Sequence, residues 1–151
     1  MTVEDKETEF RQVIKTALMD LFQSPGTFIR PRMVAAFCNV SHMRLYRLVW
    51  NPAFLPSVEL CHKIAAFLKL AAETREAWLT LISVWDKHGL ADVLPPAVMY
   101  EFFDRRLYDH LASEKLTKDE KLNSLTALTL RLIVKRMVDE RGDEVEDEEE
   151  T

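Results

Sequence analysis

The chain has 151 residues, 48% of them apolar, and a formal net charge of −5. That apolar fraction is typical of a chain that folds, and the length suits one domain or a small domain with an appendage. No run approaches the roughly 18 apolar residues of a membrane span. The opening MTVEDKETEF is acidic and polar, unlike a signal or transit peptide, so a cytoplasmic protein is expected.

Three glycines, six prolines and no alternating β-branched run predict an all-α chain. Met1 to Glu7 reads as a frayed lead. A helix is expected over Glu9 to Phe22, where Phe10, Val13, Ile14, Ala17, Leu18 and Leu21 recur at three and four. Ser24-Pro25-Gly26 stops it, and Phe28 and Ile29 read as plugs beneath the next two helices. In RMVAAFCNVSHMRLYRLVW (Arg32 to Trp50) the spacing predicts those two short helices and a tight turn between them. Val34, Ala35 and Cys38 form the inner face of the first. Asn39-Val40-Ser41 breaks it, because Asn accepts the left-handed conformation of a helix end and Ser41 suits the next N-cap. Leu45, Leu48 and Val49 turn the second helix inward, leaving His42, Met43, Arg44, Tyr46 and Arg47 outside. Trp50 is expected as a lid on the core. The loop to Pro56 folds Phe54 and Leu55 inward.

Ser57 caps a fourth helix that runs to Leu70, with Glu59 in its first turn. A fifth spans Glu73 to Lys87, with Trp78, Leu81, Ile82 and Trp85 on one face, and Gly89 ends it. Pro95-Pro96 marks a boundary near residue 90. Two more helices follow, Ala97 to Ala112 and Thr117 to Arg141, the latter opened by a Thr117/Glu120 capping box. From Leu122 to Met137 the last helix is apolar over so wide an arc that a partner subunit is expected to cover it. Leu125, Leu128, Leu132, Ile133 and Met137 are the candidate dimerisation residues. The expected organisation is therefore 1–90, a helical dimerisation region 91–141, and a disordered acidic tail 142–151.

Cys38 and Cys61 read as small buried hydrophobes rather than a disulfide framework. A Cys61-His62 metal pair would need further ligands, and His42, His88 and His110 are scattered, so no metal and no cofactor are expected. No nucleophile–base motif and no Gly-rich phosphate loop point to an enzyme. The charge is uneven. Arg30 to Lys69 holds six Lys/Arg against Glu59 alone, a balance of +5, whereas Asp139 to Thr151 holds nine acids against Arg141, a balance of −8. A basic segment of this kind is suited to phosphate, and the acidic tail would compete for it.

Several of these residues resemble the phage-repressor-like, Cro/XRE-type helix-turn-helix family. Ala35 stands at that family's small position in the first motif helix, Val40-Ser41 matches its turn, and Leu45 and Leu48 match its recognition-helix core. PSVELCHKIAAFLKL (Pro56 to Leu70) resembles its next helix and AAETREAWLTLI (Ala71 to Ile82) its fifth, so the likeness covers roughly Phe10 to Trp85. The chain departs from the pattern at Asn39 (usually Gly), at Pro31 (often Gln) and at Val49-Trp50-Asn51 (commonly Glu-x-Gly). The resemblance implies a five-helix domain of the lambda-repressor type and a dimeric, sequence-specific regulator, a repressor on a pseudo-palindromic operator. By position it implies that His42, Met43, Tyr46 and Arg47 face base edges. Arg30, Arg32, Ser41, Arg44 and Asn51 would meet the DNA backbone. The alternative is a protein partner: an antirepressor or antitoxin-like module that keeps the fold without binding DNA, favoured by Pro31, the missing Glu and the net acidity.

Overall fold

In a computed structural model the described residues are 2–24, 29–88, 115 and 117–142, the side chains of 81, 82 and 84–88 excepted. Among them the chain is all-helical and has no strand. Five helices follow in order: α1 (Val3–Gln23), α2 (Pro31–Cys38), α3 (His42–Trp50), α4 (Val58–His88) and α5 (Lys118–Arg141). No described helix is long and apolar enough to cross a membrane. The helix expected over Ala97 to Ala112, the boundary near residue 90 and the acidic tail lie outside the described residues.

α1 starts six residues before the predicted Glu9, and its lead is not frayed. Thr2 and Asp5 form a capping box: the Asp5 N–H donates to Thr2 Oγ1 at 3.2 Å, and the Thr2 N–H donates to Asp5 Oδ2 at 3.1 Å. Those bonds favour the carboxylate and hold the Asp5 pKa below its usual value. The T-x-x-D spacing fills the role more often taken by T-x-x-E. Ile14 and Leu18 are buried, but Val13 falls at the edge of the apolar stripe and is 57% exposed.

α2 begins with Pro31 at its first turn and ends at Asn39, whose backbone is left-handed (φ 57°, ψ 45°). The Val40 N–H then donates to the Ala35 carbonyl at 3.1 Å and closes the turn. Val34, Ala35, Cys38, Val40, Leu45 and Leu48 are all buried, so α2 and α3 pin each other through their inner faces.

The predicted fourth and fifth helices are one. α4 runs unbroken for 31 residues, about 46 Å. Its middle, Leu70-Ala71-Ala72-Glu73, contains strong helix formers and no Gly or Pro. Thr74 does not break it either, because its hydroxyl donates to the Leu70 carbonyl at 2.7 Å and stays within the helix. Ser57 caps the start, accepting from the Leu60 N–H at 3.1 Å.

α5 opens at Thr117, which accepts from the Glu120 N–H at 3.2 Å; the Glu120 carboxylate accepts from the Thr117 hydroxyl rather than from its N–H. Gly142 ends the helix in the left-handed region (φ 71°). α5 packs on α4 and α2 in the same core as α1 to α3. Ala127, Leu130 and Val134 join Leu18, Leu45, Ile64 and Phe67 there. Polar bonds stitch the seam: Trp78 Nε1 donates to Thr129 Oγ1 at 2.9 Å, and Arg75 meets Asp119 at 3.5 Å. The apolar girth of α5 is thus covered on one side by its own chain. Leu125, expected at a dimer interface, is fully buried within the chain, and Leu128, Ile133 and Met137 are half-buried. Leu132 stays 58% exposed.

Candidate nucleic-acid interface

The exposed face of α3 is set by helix geometry. Leu45 and Leu48 anchor the inner side with no exposed surface. At about 100° per residue, Met43, Tyr46, Arg47 and Trp50 then share the opposite side. His42, Met43 and Arg47 are exposed, as the sequence predicts, and Tyr46 is half-buried with its ring edge-on to His42 at 5.8 Å. The Arg47 guanidinium lies 5.9 Å from the centre of the Phe54 ring, a cation–π contact that steadies it at the rim of α3.

Two residues of α3 lie away from their expected places. Arg44 is buried, 8% exposed, and is no outward phosphate contact. It precedes Leu45 by one position and Leu48 by four, so it stands on the flank of the inner face and turns inward. Trp50 is not a lid: it is 77% exposed. A long apolar side chain suggests cover, but its position is set by the stripe it shares with Met43, seven residues earlier and 62% exposed.

Around α3 the other candidates divide. Arg30 and Arg32 are exposed at the start of α2. Arg30 gives that helix no side-chain cap. Ser41 occupies the N-cap position of α3, half-buried and without a side-chain capping bond. Asn51 is committed to the loop. Its backbone is extended (φ −110°) rather than left-handed, and its Oδ1 accepts from the Ala53 N–H at 3.0 Å.

Sequence reasoning missed how that loop is held. Lys15 Nζ donates to the carbonyls of Asn51 (2.9 Å), Pro52 (3.2 Å) and Phe54 (2.6 Å). One turn earlier on α1, Arg11 donates from Nε to the Pro56 carbonyl at 2.7 Å and from Nη2 to that of Leu55 at 3.1 Å. Two cations four residues apart thus satisfy five carbonyls of the segment between α3 and α4. The signal available was faint: two bases at i, i+4 flanking Ile14.

The basic balance of the segment is also smaller at its surface than in its sequence. Lys63 pairs with Glu59 at 3.9 Å and Lys69 with Glu73 at 4.0 Å, while Arg44 is buried. Arg30, Arg32 and Arg47 remain as the exposed arginines of the segment. Cys38 and Cys61 are free and buried, and no group of three or more His, Cys, Asp or Glu gathers among the described residues. Burial pushes the Cys38 thiol up to about 12 against the pull of Lys63, Arg141 and Arg44, and the Cys61 thiol up to about 11 against Arg11.

No family model, no curated protein and no solved structure matches the chain.

Proposed function

We propose that the chain binds duplex DNA through the exposed face of α3, as a dimeric sequence-specific regulator acting as a repressor on a pseudo-palindromic operator. The observation that supports this reading most is the short α3 itself. Its nine residues stand on Leu45 and Leu48, and it offers His42, Met43 and Arg47 outward beside Ser41 at its N-cap. An α-helix is about 10–12 Å across with its side chains, and one with donors turned outward suits a major groove about 12 Å wide. Arg47 would read a guanine through its O6/N7 pair, with Met43 against a thymine methyl. Arg30, Arg32 and Ser41 would hold phosphates. The tight turn after α2, made by the left-handed Asn39, supports reading α2 and α3 as a helix-turn-helix pair. Dimerisation would use the outer side of α5 around Leu132, with Leu128, Ile133 and Met137.

Selection from a random duplex pool with the full chain tests this. Enrichment of an inverted repeat whose half-sites lie about one helical turn apart, roughly 10–10.5 base pairs, is the expected result. No enrichment, with no retention of any duplex at low salt, would sink it.

One observation favours a second reading. Met43 and Trp50 form an exposed stripe with Tyr46 and Arg47, and Trp, Tyr, Met and Arg are the residues enriched at protein interfaces. On this reading α3 docks on a protein, as in an antirepressor or antitoxin-like module. Trp50→Ala separates the two. Groove reading centred on Arg47 survives it, whereas a protein contact anchored on the tryptophan does not.

A further inference from the structure

The acidic stretch after α5 lies outside the described residues, but its point of departure does not. α5 stops at Gly142, and one residue earlier the Arg141 guanidinium donates to the Ala36 carbonyl of α2. The tail therefore leaves beside the last turn of α2. At that turn Arg44 is buried and Lys63 is paired with Glu59, so the exposed positive charge lies beyond it. Arg30 at the N-cap of α2, Arg32 in its first turn and Arg47 on α3 are exposed. After Gly142 the sequence reads DEVEDEEET, seven acids in nine residues and no base. Nine extended residues span about 30 Å. α2 and α3, of eight and nine residues, are each only about 12–14 Å long. The extended tail is therefore longer than either helix beside its anchor.

We infer that residues 143–151 dock in cis on the basic edge of α2 and α3, between Arg141 and the group Arg30, Arg32 and Arg47, and hold it against external polyanions. Tethering makes the contact intramolecular, so weak individual ion pairs suffice. The partners are exposed charges, so salt releases them, the screening length falling from about 30 Å at 0.01 M to about 3 Å at 1 M. The docking stands on charge and reach alone. Its consequence, weaker DNA binding, rests on the DNA-binding reading.

A nitroxide attached after Glu149→Cys in the full chain tests the docking directly. Cys38 and Cys61 are buried with raised thiol pKa values and escape labelling at neutral pH. Amide signals of residues 32–33 and 42–47 should broaden at about 0.02 M salt and recover at about 0.5 M. Combining Arg30→Ala, Arg32→Ala and Arg47→Ala should remove the broadening. No broadening at low salt overturns the proposal, as does broadening that survives the triple variant. Mixing isotope-labelled chain without a nitroxide with unlabelled chain that carries one reports on a second occupant: broadening there assigns the face to another copy's tail and overturns docking in cis. Neutralising the seven acids (Asp→Asn, Glu→Gln) should tighten binding to random duplex about tenfold at low salt and little at high salt. If the broadening holds but neither chain binds duplex, the docking stands and the DNA-binding reading falls.

Discussion

At the scale of single residues, reading a base and holding a phosphate leave different signatures. Arg47→Ala should cost about 1–3 kcal/mol at one base position and flatten preference there, because the O6/N7 pair belongs to guanine. Arg30→Ala or Arg32→Ala should weaken every sequence alike and reduce the salt slope by about one unit, since a phosphate looks the same beneath each base pair. Competition binding with single-base variants at two salt concentrations measures both. The loop that supports Arg47 through Phe54 has its own test. Lys15→Met keeps the stem but removes three hydrogen bonds, two of them exposed, and urea unfolding should show a loss of about 0.5–1.5 kcal/mol. An unchanged midpoint would mean that water replaces the ammonium without cost. The outward set His42, Met43 and Arg47 is legible in the sequence, because period and the two leucines fix a helix face. Arg44 and Trp50 are not. Residue type suggests a solvated arginine and a covered tryptophan, but position on the α3 cylinder reverses both.

At the scale of elements, legibility depends on how local the cause is. The turn at Asn39, the cap at Ser57 and the stop at Gly142 are readable because each rests on nearby backbone chemistry. Asn39 bears a cost that Gly would not: its Oδ1 is buried and has no partner among the described residues. The long α4 is harder to read, because a family pattern suggests a joint at residues 70–73, where the residues themselves, two alanines among helix formers, offer no break. Ala72→Pro tests that continuity. Position 72 is exposed, so packing is little disturbed, but proline removes the helical bond of its own N–H and clashes one turn back. For an unbroken α4, thermal or urea unfolding should register a loss of about 3 kcal/mol or more. Near-neutral behaviour would restore two separate helices.

Over the whole molecule, α5 has a side covered by its own chain and an exposed side. Its inner side belongs to the fold, and this is hidden in the sequence because a wide apolar arc does not say whether its own chain or another covers it. Leu130→Ala should cost about 2–5 kcal/mol, the usual range for a fully buried leucine in a core. Leu132→Ala, at a 58% exposed site, should shift stability within about 0.5 kcal/mol. If the outer side dimerises the chain, that same substitution should shift full-length protein from dimer toward monomer in light scattering at micromolar concentration; an unmoved dimer would exclude Leu132 from the interface. Contact between the face of α3 and DNA, as proposed, is tested by amide chemical-shift mapping of the full chain with duplex, run with the native tail and with the tail neutralised. The largest shifts are expected at residues 30, 32 and 41–47. Saturating duplex that leaves those amides unmoved, or moves others in their place, would contradict it.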